Sequence, residues 1–128
     1  MTTASPTTTC RPPPYAKSSP ELTRHLAGAL AAQGADARQG SGWTMSAVYR
    51  ETGSEVARYG VLGALTAVME AAGVFAVAEH RGIDAAAVLA VADSLADRRP
   101  RRDHPPTETA LHTAVEAVLA ALTTAARE

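Results

Sequence analysis

VLGALTAVMEAAGVFAVAEHRGIDAAAVLAVADSLAD, residues 61–97, is the stretch on which the reading of this chain turns. Val61 to Met69 is an apolar run of strand length. Glu70 to His80 is rich in alanine and is closed by Arg81 and Gly82, a basic residue and a glycine in the order that ends helices. Ala85 to Ala92 is a second short apolar run. Strand, helix, strand in this order is one βαβ unit, whose crossover joins parallel strands in one sheet and is almost always right-handed. Helices are then expected over the sheet, and the class is α/β.

Upstream of this unit, Ser19 can cap a helix, Pro20 fits its first position, Glu21 suits the positive end of its dipole, and Leu22, Leu26, Ala29 and Leu30 share one face. Residues 20–33 are therefore predicted helical, with Gly34 as the stop. Ala37 to Ser46, with Trp43 and Thr44, reads as an irregular strand. Tyr49 to Tyr59 reads as a short helix with Thr52 or Ser54 as cap and with Val56 and Tyr59 on its apolar side, ending at Gly60. Downstream, a polar loop from Arg98 to Pro106 precedes an amphipathic helix, Thr107 to Arg127, with apolar residues at Leu111, Val115, Val118, Leu119 and Leu122. Residues 1–18 form a Pro/Thr-rich lead-in: Pro12, Pro13 and Pro14 run consecutively, which suits neither a helix nor a paired strand.

Of the 128 residues 46% are hydrophobic, enough for one domain, but alanine supplies 29 of those 59 side chains. A thin core follows. A net charge of -1 lacks the clustered basic excess that nucleic acids or acidic membranes attract, so neither partner is expected. Cys10 is the sole cysteine, which excludes an internal disulfide and any multi-cysteine metal cluster and fits a reducing, cytoplasmic compartment. No apolar run approaches the roughly 20 residues of a membrane helix, and no signal peptide is visible. His25, His80, His104 and His112 lack metal-ligand spacing, so no metal is expected. Arg98 to Arg102, bracketed by Asp97 and Asp103, suits a solvated loop better than a phosphate site.

In open α/β sheets ligands gather where strands end. Glu70 follows the first strand of the βαβ unit and Asp93 the second, so both carboxylates are expected at one crevice, where one can accept from sugar hydroxyls and a protonated one can assist a leaving group. The competing reading is simpler: an acid at a helix N-terminus can be a cap or a dipole partner.

The segments Trp43-Thr44, Tyr49-Arg50-Glu51-Thr52, Glu55-Val56-Ala57-Arg58-Tyr59, Met69-Glu70-Ala71-Ala72-Gly73-Val74-Phe75-Ala76-Val77-Ala78 and Ala92-Asp93-Ser94-Leu95-Ala96-Asp97 resemble, in order and spacing, the C-terminal half of the nucleoside phosphorylase family, which includes purine nucleoside and uridine phosphorylases. The likeness runs over about residues 19–125 and is best at Met69-Glu70-Ala71-Ala72, which is similar to the family's Glu-Met-Glu-Ala ribose motif. It implies that Met69 packs on the sugar, that Glu70 binds its hydroxyls, and that Asp93, matching the acid of a Ser-Asp pair, hydrogen-bonds and helps protonate a purine base. Tyr49 would partly serve for an aromatic of the base pocket near Val48.

The resemblance also marks departures. Val68 stands in place of the motif's first Glu and Ala92 in place of the Ser before the acid, so weaker nucleoside binding is implied. The family's phosphate-binding glycine and arginine residues belong to an N-terminal half without a counterpart here. The implied architecture is an incomplete three-layer nucleoside-phosphorylase-like domain with a βαβ core, spanning 19–128. Where relatives tend to carry Tyr-His-Tyr-Leu-Pro, this chain has Thr7-Thr8-Thr9-Cys10-Arg11. The codons TAC CAC TAC CTG CCG, read one nucleotide later, spell Thr-Thr-Thr-Cys and begin an Arg codon. Residues 1 to about 12 are therefore expected to be an out-of-frame reading.

The implied chemistry is phosphorolysis of an N-glycosidic bond, with nucleoside and phosphate as substrates and no metal or organic cofactor, by a chain inactive without a complementing N-terminal half. Two alternatives stand beside it: a non-catalytic binding or assembly module that keeps the family's tendency to form homo-oligomers, and a nucleosidase-like hydrolase that uses water.

Overall fold

The computed structural model describes residues 15–96 and 105–127. Most of the lead-in, including the stretch read as out of frame, and the arginines at 98–102 lie outside the described residues.

Helix α1, Pro20–Ala32, begins as its sequence requires: the Ser19 hydroxyl accepts from the Leu22 N–H at 3.4 Å and Pro20 occupies the first turn. Leu26 is buried on its inner face beside His25, whose Nε2 lies 2.9 Å from Arg24 Nη2. Strand β1 is short, Ser41–Thr44, and a single 3-10 turn, Val48–Arg50, follows it. Helix α2, Gly53–Val61, starts afresh at Thr52, whose hydroxyl accepts from the Glu55 N–H at 3.3 Å. The stretch expected to be one helix from Tyr49 is thus two pieces, because Thr52 is a better start than interior residue.

Strand β2, Ala64–Val68, runs parallel to β1, with Gly42 opposite Thr66, Trp43 opposite Ala67 and Thr44 opposite Val68. A Cβ on Gly42 would lie 2.9 Å from Thr66 Oγ1, so a glycine lets the strands approach. Helix α3, Ala71–Arg81, ends at Gly82 in the left-handed conformation (φ 64°), with the Ile83 N–H donating to Ala78 O at 3.0 Å, the closure that glycine permits without strain. Helix α4, Pro105–Ala125, completes the described elements.

The α/β class and the parallel pairing are present, but the βαβ unit is assembled from different parts. The two strands are β1 and β2 with α2 as the crossover. Ala85 to Ala92, expected as the second strand, joins no ladder; the one backbone bond it makes to a described segment is from the Ser19 N–H to Ala85 O, 2.7 Å. An apolar run becomes a strand only when a neighbour accepts its hydrogen bonds, and among the described residues none is aligned with it.

A second correction concerns α4. Its main partner among the described elements is α1, and the side chains it buries are Ala114, Ala117 and Ala121, with Ala117 0% exposed. The larger residues that were expected to face inward, Leu111, Val115, Leu119 and Leu122, lie exposed on a neighbouring face, and only Val118 of that set is partly covered. Small side chains let two helix axes come close, so the alanine stripe wins the contact with α1 while burying little area. The core is correspondingly thin: no large side chain is fully buried among the described residues.

Replacing Ala117 by Leu should therefore overpack the α1–α4 contact and cost about 1–3 kcal/mol, whereas Leu119, 61% exposed, should tolerate Ala within about 0.5 kcal/mol. Urea unfolding of both variants checks this, and the reverse order of losses would mean that the leucine face is the one that packs.

Candidate functional site

Because β1 and β2 are parallel, their C-terminal ends share one edge of the sheet. Thr44 and Val68 are in register there, and the chain is pinned one residue further by the Met45 N–H donating to Val68 O at 3.0 Å. Met45 is buried, while Met69, directly after β2, is 45% exposed. Glu70 then takes the position before the first residue of α3.

An acid in that position ordinarily turns back to cap its own helix. Glu70 does not: its backbone is already helical (φ −114°, ψ −29°), it makes no capping bond to α3, and Oε2 accepts instead from the Met69 N–H at 3.1 Å. The α3 amide at Ala72 is served from across the sheet, donating to Thr44 Oγ1 at 3.1 Å. The Glu70 carboxylate is exposed at the mouth of the edge, and no described group bonds its second oxygen.

Behind this edge, Trp43 is buried and stacks on Tyr59 of α2, ring centroids 4.5 Å apart at 16°. The Arg58 guanidinium lies 5.6 Å from the Tyr59 centroid. This stack joins the crossover helix to the strand it must cover.

Met69 and Glu70 stand together at the C-terminal edge, as their adjacency and the strand before them predict. Tyr49 lies in the 3-10 turn that leaves the same end of β1; its ring is 83% exposed and touches neither of them through a hydrogen bond. Asp93 lies in the segment that forms no strand, exposed and without a hydrogen bond to Glu70. The strand order that was expected to bring the two acids to one crevice is therefore not formed among the described residues. Thr44 received no role from the sequence, because the amide it meets, at Ala72, lies 28 positions away. Among the described residues no three His, Cys, Asp or Glu side chains are grouped to hold a metal, and no helix is long and apolar enough to cross a membrane.

The sequence model of the Phosphorylase superfamily matches residues 2–127. The chain belongs to that superfamily. Neither a curated protein nor a solved structure gives a significant match. Membership makes the function nucleoside phosphorylase-like in general, with nucleoside and phosphate as the substrates the family implies, and the helices with a small parallel sheet are compatible with part of such a domain. In this superfamily member the edge that carries Met69 and Glu70 rests on the Trp43–Tyr59 stack.

Tyr59→Leu keeps much of the apolar area but removes the ring contact. It should cost about 0.5–1.5 kcal/mol beyond the change in area and shift the emission of Trp43, the sole tryptophan, to the red. Denaturant titration followed by tryptophan fluorescence checks both.

Proposed function

We infer that the chain supplies the nucleoside-binding part of a phosphorolytic site, in which Glu70 accepts from the vicinal hydroxyls of the ribose, Met69 packs against the sugar, and Asp93 serves the departing base. The observation that carries this reading is the Glu70 carboxylate. It sits where a helix cap is expected, yet it leaves the helix amide to another residue and stays exposed at the strand ends. One carboxylate oxygen meets the adjacent Met69 N–H, and the other takes no bond from a described group, which leaves it open to a ligand hydroxyl. The assignments of Asp93 and Tyr49 rest on their match to the family pattern alone.

In the reaction a phosphate oxygen bonds to the anomeric carbon as the glycosidic C–N bond breaks. The electron pair goes to the base nitrogen, and a proton is delivered to the purine with the help of Asp93. The nucleophile is phosphate, so the step requires no metal or organic cofactor. The two-stranded sheet among the described residues and the wide exposure of Val61, Val74, Val77, Leu111 and Leu119 support a chain that is incomplete as a catalytic unit and works with a complementing polypeptide. The same exposed aliphatic surface favours a second reading, an assembly module that keeps the fold's contacts without its chemistry.

The purified chain should release no base from inosine, adenosine or uridine with phosphate, because positioning and charge neutralisation of phosphate account for much of such catalysis. Phosphate-dependent release by the chain alone would overturn the incomplete-unit reading.

With a family N-terminal half supplied, Glu70→Gln should lower kcat/KM roughly 10- to 100-fold, since charge-assisted hydrogen bonds to two hydroxyls contribute about 1.5–3 kcal/mol. Asp93→Asn should reduce turnover of purine nucleosides more than that of uridine. An unchanged rate in the Glu70 variant removes the ribose assignment, and equal losses on both substrate classes make Asp93 structural. If no mixture turns over while the chain still associates, the assembly module stands.

A further inference from the structure

We propose that Thr44 is a positioning residue for Glu70: by capping α3 from the end of β1, it releases the Glu70 carboxylate to bind sugar hydroxyls. This rests on the ribose reading of Glu70 and adds the residue that makes it available.

The first amides of a helix have no partner within the helix, and an oxygen must meet them. At α3 the nearest candidate by sequence is Glu70, one residue before the helix, and its negative charge would favour that end of the dipole. The Ala72 N–H nevertheless donates to Thr44 Oγ1 at 3.1 Å, a contact between residues 28 apart in the chain. Two constraints hold the hydroxyl there. Thr44 is fixed in the ladder opposite Val68, with the Met45 N–H bonded to Val68 O on its far side, and a β-branched side chain has few rotamers to choose from. Glu70, by contrast, has a helical backbone instead of the extended one that a capping residue normally takes, so its side chain is poorly aimed at the amide that Thr44 already occupies. Its Oε2 turns to the Met69 N–H, which sets the carboxylate beside Met69, the other proposed sugar contact.

The competition between Thr44 and Glu70 for one amide is open to direct measurement on the full chain. Thr44→Val keeps shape and branching and loses the hydroxyl; Thr44→Ser keeps the hydroxyl. Amide hydrogen exchange at Ala72, read by NMR, should rise roughly five- to tenfold in Thr44→Val, the factor a lost cap carries, stay near the original in Thr44→Ser, and stay unchanged in Glu70→Gln. Inosine affinity, measured by titration of the same four proteins and the Thr44→Val/Glu70→Gln double variant, should fall in Thr44→Val, recover in Thr44→Ser, and fall no further in the double variant than in Glu70→Gln alone. That lack of additivity marks action through Glu70, because a general loss of structure would weaken the double variant further.

Faster exchange at Ala72 in Glu70→Gln with none in Thr44→Val would overturn the proposal by making Glu70 the cap. Additive losses of inosine affinity would overturn the positioning role while leaving the cap. If the unaltered chain binds no inosine, the ribose reading fails and the positioning role with it, whereas the exchange result still decides which residue caps α3.

Discussion

The described structure depends on one short parallel ladder. A parallel pair cannot be closed by a tight turn, so joining Ser41–Thr44 to Ala64–Val68 obliges the chain to cross over, and α2 with its Thr52 start is that crossover. The stack of Trp43 on Tyr59 lays the crossover against the strand. Parallelism also delivers both strand ends to the same edge, which brings Thr44 to the start of α3 and Glu70 to the mouth of the site. An antiparallel pairing of the same two segments would send Thr44 and Glu70 to opposite ends of the sheet.

Away from that ladder the packing is governed by alanine. The contact between α1 and α4 is close because Ala114, Ala117 and Ala121 offer no bulk, but the apolar area it removes from water is small for a helix of this length. The side chains that would contribute most per residue, Leu111, Val115, Leu119 and Leu122, stay on the surface together with Val74 and Val77 of α3. Aliphatic surface on two helices and a sheet of only two strands mean that much of the hydrophobic potential of the sequence is unspent within the described residues. In this member of the superfamily the edge that carries Met69 and Glu70 is thus held by a local arrangement of strand end, helix start and one aromatic stack, through hydrogen bonds and register more than through bulk burial.

The candidate site was readable only as far as local chemistry reaches. Met69 and Glu70 are adjacent and follow an apolar run, so their place after a strand could be read directly, as could the helix stop at Gly82, where a left-handed residue is needed. The Thr52 cap was visible as one of two hydroxyl candidates. Thr44 was not visible as a site residue, because its role is set by Ala72, 28 positions away, through a strand register that no local pattern encodes.

Ala85 to Ala92 and α4 draw the boundary between the two kinds of information. By itself the sequence determined the Ser19 start of α1 and the Gly82 stop of α3, that β1 and β2 would be extended, that the class is α/β and that the core would be thin, because capping, glycine conformation and side-chain size act over a few residues. Only the tertiary structure decided that β1 instead of Ala85 to Ala92 pairs with β2, that alanine instead of leucine faces α1, and that Thr44 instead of Glu70 meets the Ala72 amide at the start of α3. Each of these is a choice among competing partners, and its outcome depends on which donors, acceptors and surfaces meet in space.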